Sequence, residues 1–291
     1  MFAAAFDYVR AESVAHALQL MQQHGPDAKL IAGGHSLLPA MRLRLAQPKT
    51  LIDIGRILEL QFVREEGNDL VLGALATHYQ ILAAPLVKAR CPALAETAEV
   101  VADMQVRNKG TIGGAIAHAD PAADYPAILL ALGATVEMQG MGGTRRVPID
   151  QFFTGPFETA LQPDEVLTAI RVPKMQAGEA AVYRKFTRRQ NDYGMTGIAC
   201  FLKAGPDKVC TEIRVGITCV GLSAYRAKAT EGVMRGARMT PERIQAAAEE
   251  AITGVDVSGD AYVPADYRAA LCQVETRRAI EDCIAQLGLT L

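Results

Sequence analysis

The chain has 291 residues, half of them hydrophobic and 21% charged, with a formal net charge of −2. That length exceeds one typical domain, so two or three subdomains are expected, with enough apolar material for a sizeable core. The near-neutral charge gives no electrostatic reason to bind nucleic acid or an anionic membrane, and aromatics at 5% without Trp argue against base stacking.

Asp7 and Arg10 interrupt the N-terminal apolar residues where a signal peptide needs a continuous run. No later stretch reaches the roughly 18 consecutive apolar residues of a membrane span; the run after Pro126 is cut by Gly133 and Glu137. A cytoplasmic protein without a transmembrane segment is expected. Six cysteines, at 91, 200, 210, 219, 272 and 283, show no C-x-x-C spacing. They offer no zinc or iron–sulfur ligand frame and are expected to be reduced, buried small hydrophobes.

Residues 1–55 read as strand, helix, strand, glycine turn, short helix, strand. Ser13 can cap a helix with Val14, Ala17, Leu18 and Met21 on one face, and Gly25 stops it. Residues 28–32 form a short apolar run, expected to be a buried parallel strand, with Gly33-Gly34 at its carboxyl end. A helix over 37–45 and a strand over 51–54 complete a β-α-β unit whose glycine turn lies where such units bind ligands.

Residues 56–175 are mixed. Strands are predicted over 70–74 and 168–172 and helices over 76–84, 92–102 and 127–132. A hairpin of 135–139 with 144–149 turns on Gly140-Met141-Gly142-Gly143, a glycine cluster with no helix after it and so a structural turn. Residues 176–291 open on a linker-like Gln176-Ala177-Gly178. Strands over 181–186, 197–202 and 212–220 precede helices over 241–252 and 266–287, the order of an α+β module.

The most informative stretch is 104–126, MQVRNKGTIGGAIAHADPAADYP. It has a basic approach in Arg107 and Lys109, a Thr-Ile-Gly-Gly turn, and Asp120 and Asp124 four apart. Glycines let successive N–H groups converge on phosphate oxygens, and Ser36 and Thr111 can add hydroxyl donors. Two such loops, at Ala32-Gly33-Gly34-His35-Ser36 and Thr111-Ile112-Gly113-Gly114-Ala115, point to a dinucleotide. Neither fits the Rossmann or P-loop spacing. Asp120 and Asp124 admit three readings: helix caps beside proline, a metal site with His118, or acceptors for ribose or ribityl hydroxyls. His35 and His118 are expected to be structural or to contact phosphate. No Ser-His-Asp or Cys-His set emerges.

These motifs, with Asp120-Pro121 and Asp124-x-Pro126, resemble the FAD-binding medium subunit of the molybdenum hydroxylases, the family of carbon monoxide and xanthine dehydrogenases. The likeness runs over essentially the whole chain. It implies an α+β chain with a p-cresol methylhydroxylase-type FAD-binding fold: two α/β subdomains, 1–55 and 56–175, and a C-terminal domain of antiparallel strands and helices, 176–291. It implies that residues 32–36 and 111–115 hold the FAD pyrophosphate, with Asp124 on sugar hydroxyls. Leu167 corresponds to an apolar flavin contact, Lys185 to a basic residue near the flavin, and Tyr193 to an aromatic residue beside the ring. Ala115 departs from the Asn common in the family, a lost amide contact of about 1 kcal/mol, leaving its backbone as the donor. The extra cluster loop of the hydroxybenzoyl-CoA reductases is absent from the cysteine pattern.

The function implied is electron transfer in a heterohexamer, a dimer of heterotrimers. A large subunit would carry the molybdenum cofactor, and a small subunit with two-iron two-sulfur clusters would feed FAD. Lys185 is then expected to favour the reduced, anionic flavin, and Tyr193 to shield one face from oxygen. The alternatives are a free-standing flavin oxidase of the same fold and a non-catalytic nucleotide-binding assembly subunit.

Overall fold

The computed structural model describes residues 2–290 and builds them into three larger sheets and one two-stranded ribbon. The first sheet is parallel, with β1 (Asp7–Arg10), β2 (Ala28–Ile31) and β3 (Thr50–Asp53) in the order β1-β3-β2. Helix α1 (Val14–His24) is capped by Ser13, whose hydroxyl accepts from the His16 N–H, and Gly25 ends it at φ 62°. Helix α2 (Leu37–Arg42) stops short of the expected Leu45; Arg44 is in the left-handed region. The expectation of a fully buried second strand is corrected. Strand β2 is an edge strand and only half-buried, while the central β3 is covered on both sides.

The second sheet is antiparallel throughout. Strands β4 (Val63–Glu66) and β5 (Asp69–Gly73) lead into six short helices: α3 (His78–Ala83), α4 (Pro85–Arg90), α5 (Pro92–Glu99), α6 (Met104–Arg107), α7 (Ile112–His118) and α8 (Tyr125–Leu132). The chain returns through β6 (Thr135–Gly140) and β7 (Gly143–Pro148), a ribbon of β8 (Phe153–Gly155) and β9 (Glu158–Thr159), and β10 (Val166–Pro173). The strand order is β4-β5-β10-β6-β7. The glycine cluster at 140–143 turns the β6–β7 hairpin, as expected. Strand β4 and helix α4 were not predicted, because neither segment shows a clean apolar period.

Helix α8 is buried on every face, which explains its unbroken apolar composition. It packs on the third sheet, β11 (Glu179–Phe186), β12 (Thr196–Ala204), β13 (Cys210–Thr218) and β14 (Tyr225–Arg226), an antiparallel meander. Helices α9 (Lys228–Met234), α10 (Pro241–Glu249) and α11 (Ala265–Gln286) follow. The period-two pattern of the strands separates two cores. Ala181, Ala199 and Phe201 join the core around α8, whereas Val182, Cys200 and Leu202 join the core under α11. All six cysteines are unpaired and buried. Among the described residues no helix is long and apolar enough to cross a membrane.

Gly216 sets how closely α8 approaches β13. A Cβ there would stand 2.1 Å from the Ala127 carbonyl oxygen, a backbone atom that cannot swing away. Gly216→Ala is therefore expected to cost about 2 kcal/mol in urea denaturation, as an overpacked interface. An unchanged midpoint would show that the two layers separate freely.

A candidate cofactor cleft

The two glycine-bearing stretches meet. A Cβ on Gly33 would lie 2.0 Å from the Lys109 carbonyl oxygen and 3.0 Å from the Gly110 Cα, so only glycine lets the segments touch. Gly34 follows with φ 73°, a conformation that disfavours side chains. His35 turns back on this loop, its Nδ1 2.8 Å from the Gly33 carbonyl oxygen. Among the described residues, no protein acceptor takes the backbone N–H groups of Gly33, Gly34, His35 or Ser36. A run of unpaired N–H groups beside a tight turn is the donor set that a pyrophosphate requires.

The second stretch differs from its expected form. It is not a turn with free donors but the start of α7, with Thr111 as N-cap accepting from the Gly114 N–H at 3.1 Å. The Ile112 and Gly113 N–H groups donate to the Ala76 and Ala74 carbonyls, and that of Ala115 donates to the Thr111 carbonyl. The donor role expected of the Ala115 backbone is thus already taken within the helix. Gly113 serves packing, since a Cβ would sit 2.6 Å from the Ala74 carbonyl oxygen and Cβ. Arg107 of the basic approach is likewise occupied, donating to the Val101 and Ala102 carbonyls. The sequence misses the bonds of Ile112 and Gly113 because they run to the turn after β5, tens of residues away.

His118, at the end of α7, stacks on Phe157 with ring centroids 5.1 Å apart. Burial lowers its pKa, opposed by Asp120 and assisted by Lys29 of β2. Asp120 closes a local turn by accepting from the Ala122 N–H at 2.9 Å. Asp124 is buried, and both its oxygens are engaged: Tyr183 donates its hydroxyl at 2.6 Å and Lys185 its ammonium at 3.1 Å. Lys185 also donates to the Val100 carbonyl, and its side chain is only 6% exposed. Burial raises the Asp124 pKa, while the Lys185 charge and the Tyr183 hydroxyl pull it down. Two residues expected at the cofactor thus pair with each other where α8 meets β11. Tyr183 and Lys185 are two apart on one strand and share a face, a signal present in the sequence that only a partner at Asp124 makes meaningful.

Tyr193 lies between β11 and β12 and is 70% exposed. Its neighbour Gly194 packs on Cys219, where a Cβ would stand 2.9 Å from Sγ, and the Cys219 N–H donates to the Pro121 carbonyl. The Tyr193 segment is thus tied to the 119–124 stretch. Leu167 is buried in β10, within the same apolar core as Ile112 and Tyr125. His78 was not singled out from sequence. It is the first residue of α3, within the Thr77–Gln80 capping box, is buried beside Gly110, and stacks on Tyr125. Burial, with the charges of His35 and Arg107, pushes its pKa down to about 4.

A chain with a free N–H cradle after a small parallel sheet, an antiparallel second sheet and a closing antiparallel sheet with helices has the architecture of a flavoprotein subunit. Residues 4–175 match the family described as the FAD binding domain in molybdopterin dehydrogenase, and residues 181–283 match the CO dehydrogenase flavoprotein C-terminal domain. The chain is 42% identical to the carbon monoxide dehydrogenase medium chain of Hydrogenophaga pseudoflava, covering 94% of this chain and 96% of that one. It is 35% identical to the nicotine 6-hydroxylase medium subunit of Paenarthrobacter nicotinovorans, covering 97% and 98%. Its structure superposes on the H. pseudoflava carbon monoxide dehydrogenase lacking the Mo-pyranopterin moiety with TM-score 0.96 at 43% identity, covering 98% of this chain and 99% of that one. Quinoline 2-oxidoreductase from Pseudomonas putida 86 follows with TM-score 0.93 at 30% identity, covering 99% of each chain.

The chain therefore belongs to the FAD-binding medium subunits of the molybdenum hydroxylases, and it is similar to those of the carbon monoxide dehydrogenase type. It is an oxidoreductase component, and the cofactor it is built for is FAD.

Proposed function

We propose that this chain carries electrons from a two-iron two-sulfur subunit to an external acceptor, in a complex whose large subunit holds the molybdenum cofactor. The observation that carries the reading is the run of unpaired N–H groups at Gly33–Ser36, pressed against Lys109 and Gly110. Those donors fit a pyrophosphate, and the residues present fit FAD. Bound FAD supplies the redox chemistry, the exchange of one or two electrons.

The protein's part is position and access. Residues 32–36 would hold the pyrophosphate, with residues 111–115 shaping the opposite wall as a helix start more than as donors. Asp124, paired with Lys185 and Tyr183, would bear on the cofactor by fixing the α8–β11 junction. Tyr193, exposed beside the 119–124 stretch, would cover one face of the ring. Leu167 would set the cleft's apolar backing from within the core.

We propose the subdomain limits 1–55, 56–175 and 176–291; the three successive sheets support them. The family likeness supports a dimer of heterotrimers. Six unpaired buried cysteines fit a reducing, cytoplasmic setting. The relatives' names include oxidation of carbon monoxide, nicotine and quinoline, while the medium-chain fold stays the same. This supports placing substrate choice on another subunit.

The test is an absorbance spectrum of the protein purified with its companions, before and after denaturation. Flavin bands that release FAD, with iron–sulfur absorbance from a second chain, are the expected result. Gly33→Ala is expected to weaken FAD binding about a hundredfold, because the Cβ forces the glycine segments apart by more than the cradle tolerates. Protein that takes up no FAD would overturn the reading. Flavin without any iron–sulfur partner would favour a free-standing oxidase.

A further inference from the structure

Resting on the FAD reading above, we infer that His78 is a positioning residue for the cofactor loops: its ring is the spacer that holds the Lys109–Thr111 segment against Gly33. The observations form one stack of contacts. The His78 backbone N–H donates to the Gly110 carbonyl at 3.1 Å. Its ring fills the space beside Gly110, where a Cβ would meet Nε2 at 2.6 Å and Cδ2 at 2.9 Å. In the same segment, the Lys109 carbonyl and the Gly110 Cα fill the space that a Cβ on Gly33 would take. Gly110 is therefore in close contact with both the His78 ring and Gly33.

The ring is fixed from below. It lies on Tyr125, with centroids 5.2 Å apart and planes inclined by 37°. Tyr125 is fully buried in the core and follows Asp124, the carboxylate held by Lys185 and Tyr183. The His78 Nδ1 and the Tyr125 hydroxyl are both buried without a protein partner. Two unsatisfied polar groups stacked in an apolar core are a cost that apolar burial alone would not select, since apolar side chains carry no such cost. What a flat five-membered ring offers is thickness: it fits under Gly110 where a bulkier side chain would lift the segment. A chain of packed groups with no slack transmits a displacement at its base to the loop at its top.

The test compares His78→Ala, Gly110→Ala and the double variant in the full chain, purified with its companion subunits, stripped of flavin and titrated with FAD. His78→Ala removes the spacer, and Gly110→Ala pushes the segment toward Gly33. Each is expected to weaken FAD binding about tenfold or more, the scale of a small misplacement of binding groups. In the double variant the new Cβ occupies the vacated ring space, so affinity recovers relative to Gly110→Ala alone. Melting of the flavin-free proteins separates this from a structural role, in which melting temperature falls but FAD affinities show no coupling.

Single variants that bind FAD as the parent does, or a double variant whose loss is the product of the single losses, would overturn the inference. A parent chain that binds no FAD overturns the cofactor reading instead, and the inference with it. If His78→Ala does not fold, His78→Asn carries the same comparison.

Discussion

Replacing Lys185 with Met lowers the stability of the folded chain by about 3–5 kcal/mol, the cost of leaving a buried carboxylate without its counter-charge. The Lys185 and Asp124 side chains are 6% and 7% exposed, so water cannot take over the lost contact. Tyr183 still donates to one Asp124 oxygen, but a single neutral hydroxyl does not replace an ammonium. The carboxyl, already pushed up by burial, is pushed up further once the Lys185 charge that opposes this is gone. Asp124→Asn in the Lys185→Met background removes both charges, and most of the stability returns. Urea denaturation of the two variants measures this. If the single variant is as stable as the parent, the pair does not hold β11 on α8, and Lys185 would be free to act on the flavin directly.

The second large effect is a loss of stability in mild acid that depends on His78. Its pKa is about 4 in the folded chain against an ordinary 6.5, because burial and the nearby positive charges oppose protonation. Between those values the unfolded chain binds a proton that the folded chain does not, so stability rises with pH. The contribution is complete above pH 6.5 and is lost as pH falls toward 4, a change of about 3 kcal/mol. His118, also lowered by burial, adds to the slope in the same direction. The quantity to compare is therefore the parent against His78→Ala, measured by denaturation at several pH values from 7 to 4. The variant should show the shallower slope. Equal slopes would mean that the ring is hydrated in the folded chain.

The interface between α8 and the third sheet follows from the same chemistry. Thr218 places its hydroxyl 2.8 Å from both the Pro121 and Ala123 carbonyls, and Cys219 donates its N–H to Pro121. These bonds satisfy the backbone of the 119–124 stretch, which has no secondary structure of its own to do so. The Asp124–Lys185 pair, Gly216 and Thr218 together join the third sheet to α8 and the stretch before it. That junction also carries the segment bearing Tyr193, so the exposed ring is held from the third sheet while the N–H cradle is held from the first.

Much of this was legible in the sequence, for identifiable reasons. Ser13 and Gly25 bracket α1, Gly140 to Gly143 turn a hairpin, and the apolar run over 127–132 lies in a helix, because each depends on residues close in the chain. The glycine pair at 33–34 reads as a tight turn for the same local reason, and its role as a ligand loop rests on the proposed function. What the sequence alone could not determine is where hydrogen bonds and charges are spent. The N–H groups of Ile112 and Gly113 look free until β5 and its turn are brought alongside, and Asp124 looks available until β11 supplies Tyr183 and Lys185. His78 reads as an ordinary residue of a helix start, and only the approach of Gly110 and Tyr125 makes it a spacer. Local conformation follows from neighbouring residues, so the sequence determined the elements and their motifs. Desolvation and partner choice depend on groups distant in the chain, so the tertiary structure alone decided which motif residues face the cleft and which are consumed in holding it.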